Sequence, residues 1–124
     1  MATILVVDDE PFIRELIVEV LREEGYASFA ASNGMAALEI LNSVAADLVL
    51  TDTMMPRLGG VDLTRAIRSQ PALSALPVIL MSAGGRPNLE GLGNCTYLPK
   101  PFDITSLLAA VVDAIAGAPS RQDG

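Results

Sequence analysis

Residues 4–11 read Ile4-Leu5-Val6-Val7-Asp8-Asp9-Glu10-Pro11, a continuous apolar run that ends in two aspartates. Four consecutive apolar residues are typical of a strand buried on both faces of a parallel sheet. The next apolar residues recur at three- and four-residue spacing, as on one face of a helix: Phe12, Ile13, Leu16, Ile17, Val20, Leu21. Pro11 suits the first turn of that helix, and Gly25 suits its left-handed end. The chain therefore opens with a strand and an amphipathic helix.

The alternation of strands and helices continues along the chain. Further strands are predicted at 26–31, 47–51, 78–81 and 96–98. Further helices are predicted after the N-cap residues Ser32 and Asn33, at 61–67 and at 104–115. Glycines interrupt 84–94, so the helix expected there is short or irregular. The pattern predicts an α/β fold with a doubly wound parallel sheet and helices on both faces.

Length and charge limit the classes of function. The 124 residues fit one domain, and 51% of them are hydrophobic, which is enough to form a core. The net charge of −7 disfavours binding to nucleic acid or to anionic membranes. The N-terminal run lacks the basic region of a signal peptide, and Cys95 has no second cysteine to pair with. A cytoplasmic location is expected.

Reactive side chains follow several of the predicted strands. Asp8 and Asp9 follow the first strand, Asp52 the third, Ser82 the fourth and Lys100 the fifth. Because ligands of open α/β sheets bind at the carboxyl ends of the strands, these groups are expected to meet at one edge. Clustered carboxylates need a cation, and oxygen ligands in a chain without histidine favour Mg²⁺. An aspartate beside Mg²⁺, a hydroxyl and a lysine is suited to accept a phosphoryl group.

Each of these residues also has an ordinary structural role. Asp8 and Asp9 before Pro11 could cap a helix, Asp52 could belong to a turn, and Lys100 could be a solvated surface residue. Their placement at the ends of different strands favours the shared site.

Four motifs in order resemble the receiver domain of response regulators, the phosphoacceptor proteins of two-component signalling. They are Ile4-Leu5-Val6-Val7-Asp8-Asp9-Glu10-Pro11, Asp47-Leu48-Val49-Leu50-Thr51-Asp52-Thr53-Met54-Met55-Pro56 followed by Gly60, Val78-Ile79-Leu80-Met81-Ser82-Ala83, and Tyr97-Leu98-Pro99-Lys100-Pro101-Phe102. The resemblance implies a flavodoxin-like five-stranded sheet of order 2-1-3-4-5. It also implies a stand-alone receiver domain at 1–118 and a flexible C-terminal tail at 119–124.

The resemblance also implies a role for each site residue. Asp52 would be the phosphoacceptor, and Mg²⁺ would bind Asp9, Asp52 and the backbone carbonyl of Met54. Asp8 would reach the metal through water. Ser82 and Lys100 would each contact a phosphoryl oxygen, and the Lys100-Pro101 bond would be cis.

Two further sets of residues would transmit the signal. Tyr97 would turn inward as Ser82 moves toward the phosphoryl group, although simple packing of Tyr97 at a strand edge is the alternative. A histidine kinase or histidine phosphotransfer protein would dock on an apolar surface formed by Ile13, Leu16, Pro101 and Phe102. Leu16 and Phe102 could instead belong to the core.

The function that follows is a signalling switch that controls a downstream partner. The chain would not be an enzyme beyond catalysing its own phosphorylation and dephosphorylation. One alternative is a receiver-like interaction module that works without phosphorylation, since the segment between Ser82 and Lys100 is shorter than is usual in the family. A second alternative is a hydrolase with an aspartate nucleophile. Such enzymes typically carry a second aspartate where this chain has Met54.

Overall fold

Five parallel strands build the sheet: β1 (Thr3–Val7), β2 (Ala27–Ala31), β3 (Leu48–Asp52), β4 (Val78–Ser82) and β5 (Cys95–Pro99). Their order is β2-β1-β3-β4-β5, as expected from the resemblance. The computed structural model describes residues 1–117, so the tail predicted at 119–124 lies outside the described residues.

Four helices cover the sheet: α1 (Pro11–Glu23), α2 (Gly34–Leu41), α3 (Gly60–Arg68) and α4 (Ile104–Ala116). Side chains of α1 and α4 share one core with one face of the sheet, and those of α2 and α3 share a second core with the other face. The prediction of helices on both faces is therefore confirmed. Within residues 1–117, no helix has the length and apolarity that crossing a membrane requires.

The apolar run of β1 is divided between the two cores. Ile4 and Val6 pack with α1 and α4, whereas Leu5 and Val7 pack with α2 and α3. Successive side chains of a strand point to opposite faces, so a strand with helices on both sides must be apolar throughout. All four side chains are at most 1% exposed. This burial fixes the end of β1, and with it the position of Asp8.

The ends of the elements follow from local chemistry. Pro11 occupies the first turn of α1, and Gly25 after it has a φ of 94°. Asn33 caps α2, because its side chain accepts a hydrogen bond from the Ala36 N–H at 2.8 Å. Asp47 lies outside β3, where its carboxylate accepts a hydrogen bond from the Thr3 N–H at 2.8 Å.

The segment from Ala83 to Asn94 contains no regular helix. This result agrees with the expectation that a helix here would be short or irregular. Gly85, Gly91 and Gly93 all have positive φ, which a helix excludes. The segment still contributes to the core, because Leu92 is fully buried.

Candidate functional site

Four of the residues predicted to form the site lie at the carboxyl edge of the sheet. Asp8 directly follows β1, Asp52 ends β3, Ser82 ends β4 and Lys100 directly follows β5. Parallel pairing aligns these ends, and the Lys100 N–H extends it by donating to the Ser82 carbonyl at 2.9 Å. The fold therefore brings together groups that are up to 92 positions apart in the chain.

Three carboxylates meet at this edge. Asp8, Asp9 and Asp52 each offer an oxygen, and these three oxygens lie within 4.8 Å of one another. Asp8 is fully buried and Asp52 is 8% exposed, whereas Asp9 faces solvent. A donor set made only of oxygen, open to solvent on one side, fits a hard divalent cation such as Mg²⁺, which keeps part of its water shell.

Lys100 balances part of the negative charge. Its ammonium nitrogen lies 3.1 Å from Asp8 Oδ2, 3.5 Å from Asp52 Oδ2 and 3.8 Å from Glu10 Oε1. Burial alone would lower the pKa of Lys100, but the hydrogen bond to Asp8 and the nearby carboxylates raise it above the ordinary 10.5. Lys100 is therefore a fixed positive charge at neutral pH. The peptide bond from Lys100 to Pro101 is cis, as expected.

Asp8 is held by more contacts than the sequence suggests. Its N–H donates to the Ala31 carbonyl at 3.2 Å, and its Oδ1 accepts from the Glu10 N–H at 2.9 Å. The Arg14 guanidinium donates to the Asp8 carbonyl at 2.8 Å. Glu10 and Arg14 were not identified from the sequence, although Arg14 lies within the first turns of the predicted helix. These contacts leave Asp8 little freedom to move.

The Ser82 hydroxyl, which was predicted to contact a phosphoryl oxygen, makes a hydrogen bond to the segment that follows β4. It donates a hydrogen bond to the Gly85 carbonyl at 2.9 Å. Tyr97 is half-buried on the edge strand β5, opposite Leu80. Both the switch role and simple packing are compatible with this position of Tyr97.

The loop between β3 and α3 carries Met54, whose side chain is 80% exposed. Arg57 and Leu58 further along this loop have positive φ values of 54° and 86°, which cost energy in residues other than glycine. The first N–H groups of α2 stabilise this conformation. Gly34 donates to the Leu58 carbonyl at 3.1 Å and Met35 to the Arg57 carbonyl at 3.3 Å. The loop that carries Met54 is thus held against the start of α2.

The residues predicted to dock a partner differ in exposure. Leu16 is 42% exposed and Pro101 is exposed, so the alternative that Leu16 belongs to the core is wrong. Ile13 and Phe102 are half-buried and pack against the core shared with α1 and α4. Phe12 was assigned only to the apolar pattern of the helix, yet it is 77% exposed beside them. The sequence could have suggested Phe12 for the docking surface, because it lies between the acidic motif and Ile13.

The Asp52 carboxyl group has a raised pKa. Burial is the largest cause, and the neighbouring charge of Asp8 adds to it, while Lys100 acts in the opposite direction. The folded protein therefore holds a proton on Asp52 more tightly than the unfolded chain does. Ionised Asp52 costs folding free energy, which is typical of a functional group rather than a stabilising one.

This cost predicts that Asp52→Asn is more stable than the wild type in metal-free solution at pH 7. The pKa of Asp52 is raised above the 3.8 expected in the unfolded chain, so ionised Asp52 destabilises the folded protein only at pH values above about 3.8. The difference in stability between the two proteins should therefore shrink as the pH falls from 7 toward 4. Urea unfolding of both proteins across this range measures the difference. Asp62→Asn, which alters an exposed aspartate on α3, is the control. Equal stabilities at pH 7 would contradict the prediction.

Comparison with known proteins gives consistent matches. The family model described as response regulator receiver domain matches residues 4–112. Sporulation initiation phosphotransferase F of Bacillus subtilis (strain 168) is 38% identical over 112 residues, which cover 87% of this chain and 89% of that protein. Transcriptional regulatory protein CpxR of Escherichia coli (strain K12) is also 38% identical over 90% of this chain, but the chain spans about half of its length, 48%.

A solved structure shows the same fold. The signal receiver domain of a signal transduction histidine kinase from Syntrophus aciditrophicus superposes with a TM-score of 0.89 at 30% identity. The match covers 98% of this chain and 95% of that domain.

Proposed function

This chain belongs to the response regulator receiver domain family, and from that membership we propose that it is a phosphorylation-dependent switch with Asp52 as the phosphoacceptor. The observation that carries the proposal is the meeting of three carboxylates and one ammonium group at the carboxyl edge of the sheet. Asp52 is the member of this group that ends the central strand β3, and the Lys100 ammonium group contacts both Asp52 and Asp8. We propose a cytoplasmic location for the switch.

The chemistry assigned to Asp52 is the transfer of a phosphoryl group from a nitrogen or oxygen atom of the donor to a carboxylate oxygen of Asp52. A carboxylate oxygen of Asp52 forms a bond to phosphorus while the bond from phosphorus to the donor breaks, and the donor leaves with the bonding electron pair. The donor is a phosphohistidine of a kinase or phosphotransfer protein, or a small acyl phosphate. Lys100, 3.5 Å from Asp52 Oδ2, is placed to neutralise charge on a phosphoryl oxygen. The chain acts only on itself in this reaction.

Asp9, Asp52 and the Met54 carbonyl would hold Mg²⁺, and Asp8 would contribute through water. The bound ion would supply positive charge to the phosphoryl oxygens and allow a second anion to approach the carboxylates. The fixed Asp8 and the exposed Asp9 suit these different roles. Asp8 has both oxygens engaged by Glu10 and Lys100, whereas Asp9 is open to solvent.

The switch proposed for Ser82 is an exchange of hydrogen-bond acceptors. The hydroxyl leaves the Gly85 carbonyl and donates to a phosphoryl oxygen on Asp52, and Tyr97 then turns inward. A charged acceptor makes the stronger hydrogen bond, which gives the exchange its direction. A downstream partner would read the resulting change.

The phosphoryl donor would dock on an apolar surface beside the site. Phe12 is added to Ile13, Leu16, Pro101 and Phe102 in this proposed surface, because it is 77% exposed. A histidine kinase or histidine phosphotransfer protein is the proposed occupant. Nucleic acid and membranes are not proposed as partners, given the net charge of −7.

Binding of beryllofluoride, which resembles a phosphoryl group, tests the proposal. With Mg²⁺, beryllofluoride should raise the midpoint of thermal unfolding above that with Mg²⁺ alone, because a ligand that binds only the folded state stabilises it. The increase should be absent in Asp52→Asn and present in Asp62→Asn. The glycine-rich segment 84–94 favours one rival, an interaction module that works without phosphorylation. That rival predicts no effect of beryllofluoride on the wild type.

A further inference from the structure

The segment between β4 and β5 is fastened to α3 by one arginine. Arg68, in the last turn of α3, donates from Nε to the Leu92 carbonyl at 2.6 Å and from Nη2 to the Asn94 carbonyl at 2.7 Å. Its Nη1 lies 3.5 Å from the Leu73 carbonyl, an acceptor in the turn that follows α3. A guanidinium presents its N–H donors in a rigid planar fork, whereas a lysine ammonium is a compact charge on a flexible stem, so arginine fixes several acceptors more firmly.

The second half of the segment also packs into the protein. Leu92 is fully buried, and Leu89 packs against the same core. The Leu92 N–H donates to the Leu89 carbonyl at 3.1 Å, which closes a turn at residues 89–92. Gly93, with a φ of 68°, lies against Arg68, since an added Cβ would approach Nε to 2.7 Å. Residues 89–94 are thus fixed by both packing and hydrogen bonds.

The first half of the segment has few such restraints. Residues 83–86 are exposed, and a Cβ added to Gly84 or Gly85 would meet nothing within 4 Å. The Ser82 hydroxyl bound to the Gly85 carbonyl connects this half to the site. A single hydrogen bond between neutral groups contributes little to stability, so this connection is easily exchanged.

We propose that Arg68 divides this segment into a fixed part, residues 89–94, and a switching part, residues 83–88, and that displacement caused by phosphorylation stops at the fixed part. Arg68 is a positioning residue here, because it acts through the Leu92 and Asn94 carbonyls. The limit on displacement by phosphorylation rests on the proposed function. The fixing of residues 89–94 by Arg68 concerns the resting protein alone and is tested without any ligand.

Hydrogen exchange of the metal-free protein tests the fixed part. The Leu92 N–H should be protected in the wild type, and Arg68→Ala should speed its exchange on the order of tenfold, because the Leu92 and Asn94 carbonyls lose their donor. Arg68→Lys should restore only part of the protection. Arg65→Ala is the matched control, since Arg65 lies one turn earlier on α3, where its side chain forms an exposed ion pair with Asp62. Unchanged exchange of Leu92 in Arg68→Ala would overturn the inference.

Two glycine variants keep the test decisive if Arg68→Ala does not fold. Gly93→Ala and Gly91→Ala place a side chain at similar φ values, 68° and 78°, but only Gly93→Ala meets Arg68. Faster exchange of Leu92 is expected in Gly93→Ala beyond that in Gly91→Ala. Equal effects of the two variants would contradict a role for Arg68.

Exchange with Mg²⁺ and beryllofluoride tests the switching part. In the wild type the change in exchange between β4 and β5 should be confined to residues 83–88, and in Arg68→Ala it should extend to residue 94. A wild-type change that covers 83–94 would overturn the division. No change in any residue would contradict the proposed function and the switching part together, whereas the metal-free measurement still decides whether Arg68 fixes residues 89–94.

Discussion

Replacing Asp52 with asparagine should abolish the incorporation of radiolabel from acetyl phosphate in the presence of Mg²⁺. An amide oxygen is a poor nucleophile toward phosphorus, and the substitution also removes one of the three carboxylates that would hold the metal. The neighbouring Asp8 offers no replacement, because it is fully buried and both of its oxygens are engaged. Labelled protein, separated from free phosphate by gel electrophoresis at neutral pH, measures the effect.

The control for this loss is Asp62→Asn, which should be labelled as the wild type is. Asp62 is exposed on α3, where it pairs with Arg65. Urea unfolding should show that Asp52→Asn is folded, so that loss of label reports loss of the acceptor. Label retained in Asp52→Asn at the wild-type level would place the acceptor elsewhere and refute the assignment.

Replacing Gly60 with alanine should lower the free energy of unfolding by about 3 kcal/mol, since overpacking of this kind cannot be relieved by a side chain. Gly60 begins α3 and is buried against the end of β3. An added Cβ would overlap the backbone carbonyl oxygen of Asp52 and would approach Leu80 Cδ2 to 3.0 Å. Relief of this overlap requires movement of the α3 start or of the Asp52 backbone.

Gly84→Ala is the matched control for this variant. Gly84 has no restricting φ, and a Cβ there would meet nothing within 4 Å. Its stability should change by less than about 0.5 kcal/mol, as for most surface substitutions. Urea unfolding measures both variants. A loss in Gly60→Ala no larger than that in Gly84→Ala would show that the backbones can separate without cost.

Much of the fold was predictable because burial and periodicity reinforce each other. The apolar run of β1 and the three- and four-residue spacing in α1 each require a particular environment, and the parallel sheet with helices on both faces satisfies them all. The rule that ligands bind at the carboxyl ends of parallel strands then predicts that Asp8, Asp52, Ser82 and Lys100 lie together. The contacts among Asp8, Asp52 and Lys100 agree with that placement.

Other features depend on contacts that no local pattern encodes. Arg68 appears in the sequence as an ordinary basic residue near a helix end, and two of its acceptors lie 24 and 26 positions away. The Arg14 contact with the Asp8 carbonyl and the exposure of Phe12 depend on how α1 is rotated about its axis. Spacing alone gives the existence of an apolar face but not which of its edge residues are covered.

The backbone hydrogen bond from the Lys100 N–H to the Ser82 carbonyl ties the main chain of these two residues together. A shift of the main chain at the end of β4 would therefore either move Lys100 as well or break that hydrogen bond. Rotation about the Cα–Cβ bond of Ser82 disturbs neither, so the hydroxyl can change its acceptor while the ammonium group stays in register with Asp52. The Ser82 hydroxyl can thus rotate toward a new acceptor while the Lys100 ammonium group keeps its position.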